Sequence, residues 1–279
     1  MLKKLLVHEW KDTWKLMTIL NAAMLVVALI GVMVFNHDNL DKVMSAEKYQ
    51  FGTMMGFMSY MMVYVVGIGV LAVVSTLFFF IRFYRNLYTD QGYLMHTLPV
   101  TSNDLMLSKT LVAFVWKCIS SFVVTFSVAI LIASMMEGGV SELFRSIGEG
   151  LRELEISNGK AILFILVFIL LGIGSMLFSI MKGYAAISIG QQISKNKVLA
   201  SIGIYIGISM AIQLVTNLLT QSLIFGMGAG IDKGLFANWE PTENTLLVIY
   251  LVAALLTLAA SAGLYILSLN FMKNKLNLD

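Results

Sequence analysis

Charge is what this chain has least of. Of its 279 residues only 13% are Asp, Glu, Lys or Arg, 58% are hydrophobic, and the mean hydropathy is +0.85. Soluble domains carry about 25% charged residues, so a surface this poor in charge could not hold the chain in water. The single cysteine, Cys118, excludes an intramolecular disulfide and stands in an apolar run, where a free thiol behaves as a small hydrophobe. Proline occurs only twice, and one of the two, Pro99, lies in a polar stretch between apolar runs.

Other absences exclude chemistry. No G-x-x-x-x-G-K-[ST] phosphate loop occurs, so any ATP that the protein uses must be bound by another polypeptide. Ionisable side chains are costly in lipid and so mark working sites there. Apart from Arg82, at the end of the second run, the only one inside the apolar runs is Lys117, about two turns in, near enough to an end to snorkel. Without a mid-run Asp, Glu or His, a carboxylate proton relay and an aspartyl intramembrane protease are both disfavoured. His8, His37 and His96 fall in three different polar segments, and "HEWKD" puts Asp12 where a zinc protease needs its second histidine. Residues 67–72, "GIGVLA", fit the letters of a dinucleotide fingerprint but lie in an apolar helix without a βαβ unit. The sequence therefore predicts no catalytic residue and no metal or cofactor of its own.

What is present is length of apolar chain. Six runs, 16–35, 51–83, 111–133, 161–181, 199–225 and 246–269, each reach the ~20 residues that carry a helix across ~30 Å of hydrocarbon. In lipid only helices and closed barrels satisfy their backbone, and continuous runs speak for helices. The expected fold is an all-α integral membrane protein with six transmembrane helices, one membrane domain over 1–279. The second and fifth runs exceed a straight crossing, so they tilt or extend beyond the bilayer. The N-terminus, the 82–111 and 182–198 loops, the C-terminal tail and Lys117 together hold 13 Lys/Arg and 5 Asp/Glu; the other three loops hold 6 and 11. The positive-inside rule then places both termini and segment 82–110 in the cytoplasm. The first run is too long for a signal peptide and no A-x-A site follows it, so it reads as an uncleaved span.

Two amphipathic segments flank the spans. In 1–15, leucines and tryptophans recur at helical spacing opposite a lysine-rich face, predicting an interfacial helix anchored by Lys3, Lys4, Trp10, Lys11 and Trp14. It is at least a topology signal; its functional reading is a lever touching a cytoplasmic partner. Within the extracellular segment 136–160, Val140, Leu143, Phe144, Ile147, Leu151 and Leu154 share one face, predicting a helix resting on the outer leaflet.

Polar and pliable faces interrupt the apolar runs. Ser209, Gln213, Asn217 and Gln221 are spaced four apart along one helix face, and carboxamides should turn to protein or water. The stripe either bonds the bundle together or lines a path or subunit interface. Gly203 and Gly207 would permit close helix approach. In the second run Met58 and Met62 mingle with Tyr60 and Tyr64. Methionine adapts to irregular apolar partners, so this is lipid or core packing or the lining of a substrate path.

The polar stretch "YTDQGYLMHTLPVTSNDLMLSK", 88–109, is organised beyond what a hairpin needs. Thr89 or Asp90 can cap a short helix that clusters Tyr93, Leu94, Thr97 and Leu98, and Pro99 stops it. Thr101 to Asp104 then offers a capping box for the next helix. The result predicted is helix–break–helix, an aromatic and apolar knob held by two spans.

"FYRNLYTDQGYLMHTLPVTSNDLMLSK" resembles the loop after the second span in bacterial ABC type-2 transporter permeases, through Y-R-N-L, G-Y-L, T-L-P-V and the closing L-S-K. The amphipathic N-terminus and six spans fit that family along the whole chain. The resemblance implies the permease subunit of an ATP-driven exporter in a bacterial plasma membrane, paired with a second permease, identical or related. Each would seat on a separate ABC ATPase that binds ATP and magnesium. The coupling residues would be Tyr88, Gly92, Tyr93, Leu94, Thr97, Leu98 and Pro99. The path between subunits would be lined from the second and fifth spans. A re-entrant hairpin is implied near 226–245. Without charge in the membrane, the cargo implied is amphiphilic or hydrophobic: a peptide, drug or lipid-like molecule. The partners are thus the ATPase pair, a second permease and membrane lipids, with no nucleic acid. The rival reading is a non-transporting scaffold or sensor that binds peptide or lipid and signals to a cytoplasmic partner; an ATPase gene beside this one would separate the two.

Overall fold

The computed structural model describes residues 2–34, 50–89, 100–153, 158–193, 196–228 and 243–274. They form seven helices: α1 Leu2–Val34, α2 Gln50–Tyr88, α3 Ser102–Met135, α4 Gly139–Glu153, α5 Asn158–Gly190, α6 Lys197–Gly228 and α7 Glu243–Asn274. All but α4 are long and apolar enough to cross a membrane, which gives the six spans expected. At ~1.5 Å per residue the 39 residues of α2 reach about 58 Å, well beyond the hydrocarbon, so its ends project from it. The polar segments at 35–49 and 229–242, the latter with most of the expected re-entrant hairpin, lie outside the described residues.

One difference concerns the N-terminus. The amphipathic stretch 1–15 and the first span are a single unbroken helix. Leu, Lys and Trp favour a helix in both parts, and nothing between Lys15 and Leu16 is a breaker.

The chain divides into two compact units, one of Met1–Ile81 with Leu107–Ile156, the other of Arg82–Met106 with Ser157–Asp279; the boundaries fall inside α2 and α3. In the first unit the core is Met24, Ala28, Tyr64, Leu71 and Leu131, with Tyr60, Val27 and Val128 packed against it. Tyr60 donates to the Val27 carbonyl at 3.0 Å, and Tyr64 shares a hydrogen bond with Ser127 at 2.6 Å. Such bonds tie helices together where lipid offers no alternative partner. Gly31 makes the closest approach here: a Cβ would run into the Tyr60 ring and stand 2.6 Å from Leu131 Cδ2. Gly31→Ala should therefore destabilise the unit by about 1–3 kcal/mol through overpacking, read as a lower thermal midpoint in detergent; an unchanged midpoint would show that Tyr60 swings aside freely.

In the second unit α5 packs chiefly on α7 and then on α6. Gly190 lets the α5 end meet the start of α6, with Ser201 Cα and N only 2.7 Å from where a Cβ would stand. Phe83 stacks on Tyr184, ring centroids 3.8 Å apart and 8° from parallel. The Lys182 ammonium lies 4.7 Å over the Tyr205 ring.

The α4 helix bears out the amphipathic reading of 140–153. Val140, Phe144 and Ile147 are exposed together along it, while Arg145 bonds Glu149 at 2.9 Å. That bond, reinforced by the charges of Glu149 and Glu142, raises the Arg145 pKa above its ordinary value.

Candidate functional site

The end of α2 and the start of α3 frame segment 90–99, and each is fastened. Thr89 Oγ1 donates to the Arg85 carbonyl at 2.6 Å, closing the last turn of α2. Tyr88 is buried and donates to Ser188 Oγ at 2.9 Å; Ser188 in turn shares a hydrogen bond with Ser268 at 2.8 Å. This chain of hydroxyls fastens the α2 end to α5 and α7. On the far side Thr101 caps α3 as its spacing predicts, accepting from the Asp104 amide at 3.1 Å. Tyr265 of α7 donates to Asn103 Oδ1 at 2.6 Å. Both stems therefore rest on the second unit.

Of the coupling residues expected here, Gly92, Tyr93, Leu94, Thr97, Leu98 and Pro99 lie outside the described residues. Tyr88 is placed differently from the expectation. It points into the helix packing, edge-on to Phe83 at 6.1 Å between centroids, and offers no exposed face to a partner. An aromatic at a helix end reads as a docking group in sequence, but its hydroxyl finds Ser188 one hundred residues away.

The first unit holds a second polar cluster that sequence reasoning missed. Glu9 Oε1 and Lys109 Nζ form an ion pair at 2.5 Å, with only 6% and 4% of their side chains exposed. Thr13, one turn on from Glu9, accepts from Trp116 Nε1 at 3.1 Å and donates to the Glu9 carbonyl at 3.0 Å. Trp10 stacks on Trp116 at 4.8 Å and 13°. Desolvating two ions is tolerated only when they are close and well bonded, so this cluster fixes the first turns of α1 to α3 in one register. The buried stripe of α1 runs Glu9, Thr13, Met17, Asn21, Met24, Ala28 and Gly31. That corrects the amphipathic reading of the helix: its buried face begins with a carboxylate and a hydroxyl. Lys3, Lys4, Lys11 and Trp14, expected as membrane anchors, are exposed, and Trp10 is exposed beyond its stack. The clue available in sequence was spacing alone, Glu9, Thr13, Met17 and Asn21 recurring every four residues. Lys117, read as a snorkelling lysine, donates to Thr76 Oγ1 at 3.2 Å.

The expected path residues separate into two faces. Met58 and Met62 are exposed on α2, while Tyr60 and Tyr64 turn into the first unit, so these four do not line one surface. On α6, Gln213 and Asn217 are exposed and Ser209 turns back to the Tyr205 carbonyl at 2.7 Å; the Gln221 side chain lies outside the described residues. Gly203 and Gly207 have open space before them, so the close approach expected there is absent among the described residues.

Among the described residues no group of three or more His, Cys, Asp or Glu is placed to hold a metal ion. Comparison with protein-family models, with curated proteins and with solved structures gives no match to this chain.

Proposed function

We propose that this chain is the permease subunit of an ATP-driven exporter in a bacterial plasma membrane, working as a pair and driven by a separate ABC ATPase. The observation that carries the reading is the treatment of segment 90–99. A loop between two spans needs only to be polar, yet this one starts and ends on stems bonded to α5 and α7. Force applied to such a loop passes directly into the helices that hold it. The six spans and the absence of any phosphate loop agree with a membrane subunit whose energy comes from elsewhere. Positive charge gathered on the termini and on 82–110 supports a loop on the ATP side of the membrane.

The exposed carboxamides of Gln213 and Asn217 support pairing. Amides facing lipid lack hydrogen-bond partners, and a second subunit or a hydrated path would supply them. In this reading Tyr88 positions the coupling segment and does not itself dock.

A cysteine introduced at position 94 of a Cys118→Ala chain tests the docking. Treated with a bifunctional thiol–amine reagent in native membranes, it should give one major adduct retained on an ATP resin. An adduct with a protein that does not bind nucleotide would favour the scaffold reading.

A further inference from the structure

Between the first turns of α1 and those of α3 runs an open groove of about 480 Å³, lined by Leu6, Val7, Trp10 and Lys11 on one side and Leu111, Val112 and Val115 on the other. Its size lies in the ~300–1,000 Å³ range of ligand sites. Its lining is entirely apolar, Lys11 contributing the carbon stem of its side chain. All seven lining residues belong to the first unit, and the Glu9–Lys109 pair with the Trp10–Trp116 stack fixes the spacing of the two helices there. The groove is thus a built feature of the helix pair.

Its place along the helices decides what fills it. Apolar chain begins at 16 in α1 and at 111 in α3, so the groove joins the polar approach of α1 to the first turns of the apolar run of α3. Lys11 and Lys15, four residues apart, are exposed along one face of α1 beside it. Of the acids in the same stretch, Glu9 is buried against Lys109, and Asp12 is exposed 3.5 Å from His8. An apolar slot beside exposed ammonium groups is complementary to a molecule with an acyl chain and an anionic head.

We propose that this groove binds an anionic phospholipid, one acyl chain lying against Val112, Val115 and Trp10 and the phosphate meeting Lys11. The lipid covers apolar surface beside the Glu9–Lys109 pair, so it would steady the register of α1 on α3. The proposal stands independently of the transport reading.

The test uses the purified full-length protein in mixed micelles with phosphatidylglycerol or phosphatidylcholine carrying brominated acyl chains, read by quenching of tryptophan fluorescence. Phosphatidylglycerol should reach half-quenching at a mole fraction about fivefold lower than phosphatidylcholine, the preference one well-placed lysine supplies. Lys11→Gln should remove most of that difference and Lys11→Arg should keep it. A Lys3→Gln/Lys4→Gln double variant should keep most of it too, because those lysines do not line the groove. Val115→Phe, which fills the slot, should weaken quenching by both lipids. Equal quenching in the parent protein would overturn the proposal. So would a preference that survives Lys11→Gln, or one lost equally in the Lys3/Lys4 double variant, which would mean diffuse attraction to a basic surface.

Discussion

Lys109→Met should lower the thermal midpoint of the detergent-solubilised protein by on the order of 10 °C. Methionine nearly matches the lysine stem in volume, so packing along α3 changes little. What changes is Glu9, whose side chain is 6% exposed and would lose the ammonium now 2.5 Å away. Removing one partner of a buried ion pair costs about 3–5 kcal/mol, and in a chain of this size each kcal/mol moves the midpoint by roughly 2–4 °C. Glu9→Leu/Lys109→Met should recover most of the loss, because it takes away both charges. The stack of Trp10 on Trp116 makes intrinsic fluorescence a direct probe of the same contact. A single variant within 2 °C of the parent would mean that water reaches the pair and that the α1–α3 register is held by apolar packing alone.

Leu94→Asp is expected to leave expression, membrane insertion and thermal midpoint unchanged while abolishing association with the ATPase proposed as its partner. Position 94 lies between the two fastened stems and outside every apolar run, so a new charge there perturbs no span. At a docking surface, by contrast, one buried apolar anchor commonly contributes 2 kcal/mol or more, about thirtyfold in affinity, and a carboxylate would add a desolvation cost. Co-purification of the variant at parental levels would remove segment 90–99 from the coupling mechanism. Tyr88→Phe offers a contrast: it deletes the hydrogen bond to Ser188 but keeps the ring, so association should survive with only a small loss of stability, about 1 kcal/mol.

The spans were legible because lipid makes one demand, a continuous apolar helix, and the sequence answers it over runs of twenty residues or more. The cap at Thr101 and the amphipathic α4 were legible for a similar reason, since each depends on residues three or four apart. What sequence could not show was which side of each helix meets which neighbour. Glu9 and Lys109 are a hundred residues apart, and each alone passes for a charge at a membrane boundary. Tyr60, Tyr64 and Tyr88 look like a surface beside their methionines and glycines until Val27, Ser127 and Ser188 are brought to their hydroxyls. Gly203-x-x-x-Gly207 reads as a packing motif, whereas close contacts between helices form at Gly31, Gly174 and Gly190, which no motif singles out. The polar stripe on α6 was legible from its four-residue spacing, and its Gln213 and Asn217 are exposed.

The central claim is that this chain is the membrane half of an ATP-driven machine. It is tested most directly by purifying the tagged protein from its native membranes in mild detergent and identifying what accompanies it. The account predicts a near-stoichiometric protein that carries a phosphate-binding loop and hydrolyses ATP, lost from the Leu94→Asp preparation. A preparation that stays free of any ATPase, at full yield and with intact folding, would contradict it.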